Sequence, residues 1–142
     1  MQGKTRGVAT VEFALVLPVL LLLAFLAVEF GRALYQYDVL AKSARAGARY
    51  LSMQSPGTHV TQARNLVIHG NTEGTGDPLV PGLTAANVPA PTWQEAGTAP
   101  LINTVTVRIT GYAFQPMFAS AFGVDFPALA FPAIAATMRS QP

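Results

Sequence analysis

The chain has no cysteine, which excludes a disulfide framework, a thiolate metal site and a cysteine nucleophile. Charge is scarce as well. Asp, Glu, Lys and Arg make up 11% of the 142 residues while 51% are hydrophobic, so charge-driven disorder is excluded and the length suits one small domain. Nine basic residues against seven acidic ones leave a net charge of +2, too thin a basic excess for a phosphate-binding surface, and nucleic acid drops out as a partner. Histidine occurs only as His59 and His69, with the nearest acids, Glu73 and Asp77, in a loop-like stretch. No HxxxH or HExxH spacing is present, so no metal site is expected. There is no GxSxG elbow, and Gly74-Thr75-Gly76 stands in no strand-to-helix context, so neither a hydrolase site nor a phosphate cradle is supported. No enzyme, cofactor or small-molecule substrate is expected.

What the chain does have is a long apolar run. Residues 13–28 read FALVLPVLLLLAFLAV, without one charged or polar side chain and interrupted only by Pro18. Extended to residues 11–30 the run has one Glu near each end, and at about 1.5 Å per residue it matches the roughly 30 Å of a bilayer's hydrocarbon core. A transmembrane helix is expected, kinked at Pro18, which removes one backbone hydrogen bond. A cleaved secretory signal fits less well, because the run is long for such a segment and EFGRALY after it offers no small-x-small cleavage site. A buried core helix fits poorly too, since the Gly- and Pro-rich remainder is too small to cover the run on all sides.

Beyond Phe30 the pattern turns amphipathic. Leu34, Tyr37, Ala41, Ala44, Ala48 and Leu51 recur at spacings of three and four, which predicts one helix over residues 8–51 whose second half packs against the rest of the chain. A second helix is predicted over 61–69, with Ala63, Leu66 and Val67 inward and Gly70-Asn71 as its stop. Residues 71–100 read as an irregular loop with a short strand near 88–92. Val105, Val107 and Ile109 alternate with Thr104, Thr106, Arg108 and Thr110 as a half-buried strand, and residues 134–139 alternate as its antiparallel partner. Between them Phe114, Phe118, Phe122 and Phe126 recur every four residues, as a turn of helix filling a small core or, alternatively, as an exposed docking patch. The fold class is α+β: a long N-terminal helix followed by a small head with a short antiparallel sheet.

Just before the apolar run stand Arg6-Gly7, then Val8-Ala9-Thr10-Val11-Glu12-Phe13. An unpaired carboxylate in lipid costs about 2.5–3.5 kcal/mol by insertion scales, so Glu12 calls for a partner. The alternative is that Glu12 sits in the headgroup region, favoured by the positive end of the helix dipole.

A basic leader, a glycine, and Glu at the fifth place after it resemble the class III prepilin signal, which a dedicated prepilin peptidase cuts after the glycine. With EFGRALYQYDVL following, the N-terminal third resembles the TadE-like family of tight-adherence (Flp-type) pilus assembly proteins, which are pseudopilins. Weaker resemblance runs on through AKSARAGARYLS, ARNLVIHGN, VTVRITGYAFQP and ATMR. The resemblance implies a leader of residues 1–7, processing at Gly7 and Val8, and a mature chain starting at Val8, where many major pilins start with Phe or Met. It implies that Glu12 pairs with the new amine of a neighbouring subunit. It further implies a single-pass protein of the bacterial inner membrane, N-terminus cytoplasmic, with residues 8–51 as the helix and 52–142 as an extracytoplasmic head. The implied partners are membrane lipid, the peptidase, other pseudopilins and the membrane assembly platform of a pilus for surface adhesion. The rival from another class is an uncleaved, membrane-anchored binding protein whose head recognises an extracytoplasmic ligand; the N-terminus of the mature protein separates the two.

Overall fold

The computed structural model describes residues 4–118, 120, 121 and 123–141. Helix α1 spans Lys4–Ser52 and continues through Pro18 without a break. It starts four residues ahead of the expected residue 8. Leu and Ala, strong helix formers, dominate residues 14–27. The fold is α+β: α1 and α2 (Val60–His69) precede strands β1 (Thr92–Ala96), β2 (Ile102–Ile109), β3 (Ala113–Phe114), β4 (Ser120–Ala121), β5 (Val124–Asp125), β6 (Leu129–Ala130) and β7 (Ile134–Arg139). The chain forms two compact units: one of residues 1–34 and 115–128, the other of residues 35–114 and 129–142.

The larger unit holds the core. β1, β2 and β7 form an antiparallel sheet in the order β1-β2-β7, with Val105 opposite Trp93 on one side and Met138 on the other. Val105, Val107, Ile109, Ile134 and Ala136 are buried, as the alternation predicts. The opposite face stays polar, with Thr106 and Thr137 hydroxyls hydrogen-bonded at 2.8 Å. α2 contributes Ala63, Val67 and Ile68 and stops at Gly70, whose φ of 76° is a left-handed conformation that favours glycine. The strand expected near 88–92 lies further on, at Thr92–Ala96, because Val88 is used otherwise: with Val80 and Leu83 it is buried under the core from an irregular segment. Asn71 pins that segment's start by accepting the Gly74 and Thr75 amides at 2.8 and 3.2 Å. The C-terminal stretch is tied down as well, since the Ser140 amide donates to the Asn103 carbonyl (2.7 Å) and the Gln141 amide to the Ser52 carbonyl (3.1 Å).

The buried face of α1 differs from the expected stripe. Leu34 and Tyr37 are exposed, and the face turned into the core of this unit runs through Gln36, Leu40, Ser43, Ala44, Gly47, Ala48 and Leu51. Two physical reasons account for the rotation. Gln36 is buried because the Tyr112 hydroxyl shares its proton between Gln36 Oε1 (2.7 Å) and the Pro81 carbonyl (2.9 Å). Gly47 is buried because α2 approaches so closely that a Cβ there would lie 2.6 Å from Val67 Cγ2.

The phenylalanine repeat forms no helix. Pro116, Gly123 (φ 80°) and Pro127 interrupt the segment, which instead forms the two-residue ladders β3-β6 and β4-β5. Of the repeat's described residues Phe114 alone is buried, within an aromatic group of the larger unit in which Phe131 contacts Tyr37, Tyr112 and Phe114 at 5.6, 5.6 and 6.4 Å between ring centres. Phe118 is exposed, Phe126 is half-buried, and Phe122 lies outside the described residues.

Candidate functional site

Gly7, Val8 and Glu12 all lie on α1. Val8 and Glu12 are four residues apart, so their side chains stack on one face. The surroundings are apolar and open: Val8, Val11 and Phe13 are each at least 60% exposed. Glu12 is exposed among them, and among the described residues it makes no ion pair or side-chain hydrogen bond. No acid lies in the first turn of α1, which starts at Lys4, so in the uncut chain Glu12 stands about two turns inside the helix. A Cβ on Gly7 would meet nothing within 4 Å, so packing within this chain does not require glycine there. Gly31 is equally open. Glycine costs a helix interior roughly 0.5–1 kcal/mol relative to alanine, so both positions weaken α1 without a compensating contact of their own.

The carboxylate at the other end of the apolar run is fully engaged. Arg32 Nη1 donates to both oxygens of Glu29, at 3.0 and 2.8 Å, and the Met117 backbone amide donates to Glu29 Oε1 at 3.1 Å. The Glu29 side chain is only 11% exposed. In the sequence Glu29 stands only as a boundary of the run. The spacing of three to Arg32 was a visible signal for the ion pair, but nothing in the sequence pointed to Met117, which lies far along the chain.

Over Gly7–Ser52 this helix is long and apolar enough to cross a membrane. Residues 7–49 match the family model of the TadE-like proteins. The TadE-like match therefore begins at Gly7, covers the whole apolar run and ends within α1. It agrees with the resemblance carried by RGVATVEF and EFGRALYQYDVL, and it does not extend to α2 or the sheet, where the sequence resemblance was weaker. Comparison with curated proteins and with solved structures gives no match.

Outside the TadE-like segment little is arranged for chemistry. Among the described residues no group of three His, Asp or Glu side chains is placed to hold a metal ion. Both imidazoles make local contacts: His59 Nδ1 lies 3.0 Å from the Thr58 hydroxyl, and His69 Nδ1 donates to the Gly76 carbonyl at 2.9 Å. An open groove in the larger unit is lined by Ser52, Asn103, Arg139, Ser140 and Gln141 among others, with Arg139 its one ionisable side chain. A lone guanidinium supplies no acid-base pair.

Proposed function

We propose that the protein is a TadE-like minor pseudopilin: a single-pass membrane protein, N-terminus cytoplasmic, that acts in assembly of a tight-adherence pilus and has no catalytic role. The observation that carries this reading is the family match over residues 7–49, which falls on the helix able to cross a membrane. In this reading prepilin peptidase cuts after Gly7, removing Lys4 and Arg6 and leaving seven basic against seven acidic residues. The new cation on Val8 and the unpartnered carboxylate of Glu12 lie one helical turn apart. Between adjacent subunits, the amine of one and the carboxylate of the other form a pair that sets axial register more than it adds stability, because desolvation offsets most of the attraction. Other pseudopilins and the membrane assembly platform are the partners on which this face acts.

The test is intact mass and N-terminal sequencing of the protein recovered from membranes of cells with and without the peptidase. A chain starting at Val8 only when the peptidase is present is expected, and Gly7→Leu should block the cut while leaving insertion intact. Recovery of residues 1–7 from peptidase-containing cells would leave the uncleaved membrane-anchored binding protein as the better reading.

A further inference from the structure

The segment Gln115–Ala128 belongs to the same compact unit as the apolar part of α1, and its position along that helix is defined by two contacts. The Met117 amide donates to Glu29, the first charged residue after the apolar run. The Phe118 ring packs on Phe25, inside the run, with 5.2 Å between ring centres. Phe25 and Glu29 are one helical turn apart, about 6 Å along the axis at 1.5 Å per residue. The segment therefore straddles the level at which α1 changes from apolar to polar.

Its surface suits that level. Met117 is 64% exposed, Phe118 44% and Val124 41%, and Asp125 is the only charged residue between 115 and 128. Exposed apolar side chains gathered on one short loop are costly in water and mark a contact with another apolar phase. Backbone groups that would be unpaired at this depth are partly satisfied: β4 and β5 pair with each other, and Glu29 takes the Met117 amide. We propose that this loop is a second membrane contact, inserting Met117, Phe118 and Val124 into the headgroup and upper acyl region of the leaflet on the C-terminal side of α1. The occupant is lipid because the loop packs on the surface that α1 itself presents to the bilayer: Phe118 meets Phe25, and Leu21 and Val28, which flank Phe25 on the helix, are 40% or more exposed. The inference rests on α1 spanning the membrane.

The absence of cysteine makes the test direct. Full-length single-cysteine variants Met117→Cys, Val124→Cys and Leu20→Cys are labelled with an environment-sensitive dye and reconstituted in phosphatidylcholine vesicles containing lipids with a nitroxide either near the headgroup or near the chain end. Dye at 117 and 124 should show blue-shifted emission relative to the thiol-capped dye in buffer, with stronger quenching by the shallow nitroxide. Dye at 20 should be quenched more by the deep one. If dye at 20 is deeply quenched while dye at 117 and 124 emits as in buffer, the loop does not insert and the inference is overturned with the span intact. Blue-shifted but unquenched dye at 117 and 124 that turns wet on dilution of protein in the vesicles identifies a second copy as occupant and also overturns it. Failure at 20 overturns the spanning reading itself.

Discussion

Glu12 and Glu29 bracket the same apolar run, yet among the described residues one is bare and the other holds three hydrogen bonds. A carboxylate already neutralised by Arg32 has no reason to seek a second cation; one left bare on an apolar helix face does. Glu12→Gln keeps the shape and removes the charge. If Glu12 pairs with a neighbour's amine as proposed, the variant should leave cleavage after Gly7, insertion and protein level nearly unchanged and abolish co-isolation with other pseudopilins, because breaking a buried pair costs about 3–5 kcal/mol. Normal co-isolation and piliation of the Gln variant would remove the register mechanism. Glu12 was conspicuous in the sequence, as an acid that bounds a lipid-compatible run. Gln36 was not: a polar residue is assigned outward by pattern, and its burial depends on Tyr112, distant in sequence, which reaches it only once β2 and the following turn are in place. A pairwise hydrogen bond between far-apart residues leaves no periodic trace.

At the level of elements, the strands are more legible in the sequence than the helix face. Alternation in β2 and β7 has period two, so one apolar face predicts both burial and pairing, and Thr106 indeed stands opposite Thr137. On a helix, neighbouring faces differ by small rotations. The run from Gln36 to Leu51 offers apolar residues in several directions, and the closest approach is made where side chains are smallest. Gly47 marks that place. Gly47→Ala would put a methyl 2.6 Å from Val67 Cγ2, and Val67 is fully buried and β-branched, so it cannot swing aside. Overpacking of this kind costs about 1–3 kcal/mol, against about 1 kcal/mol gained in helix propensity. Urea unfolding of the detergent-solubilised protein, followed by the fluorescence of Trp93, the single tryptophan, should show the variant destabilised, and Val67→Ala in the same chain should recover part of the loss. Additive losses in the double variant would mean that the two residues do not meet.

For the molecule as a whole, the direction in which α1 would be threaded through a membrane is where charge and the proposed processing disagree. Lys4 and Arg6 flank one end of the run, while Arg32, Lys42, Arg45 and Arg49 follow the other. Counting Lys and Arg, as the positive-inside bias does, favours the latter flank as cytoplasmic. Processing after Gly7, as proposed, demands the reverse. A reporter fused after Pro142 and active only outside the cytoplasm is therefore expected; cytoplasmic activity would overturn both the orientation and the pseudopilin reading. The fold class was legible at this scale, since an apolar run followed by two alternating segments admits few arrangements. The division of the chain into units was not, because it depends on where residues 115–128 return to α1, and that return is fixed by contacts such as Phe25 with Phe118 rather than by any local pattern.

The ties at Ser140 and Gln141 bear on the timing of synthesis. The amide that satisfies the Ser52 carbonyl, and the strand that completes the far side of β2, are both made after everything they close upon. The emerging chain must therefore wait with the end of α1 uncapped and one edge of β2 bare, paying the entropy of the intervening loop before any long-range pairing rewards it. Closure of the larger unit is a late event, coming once residues 134–141 have been made.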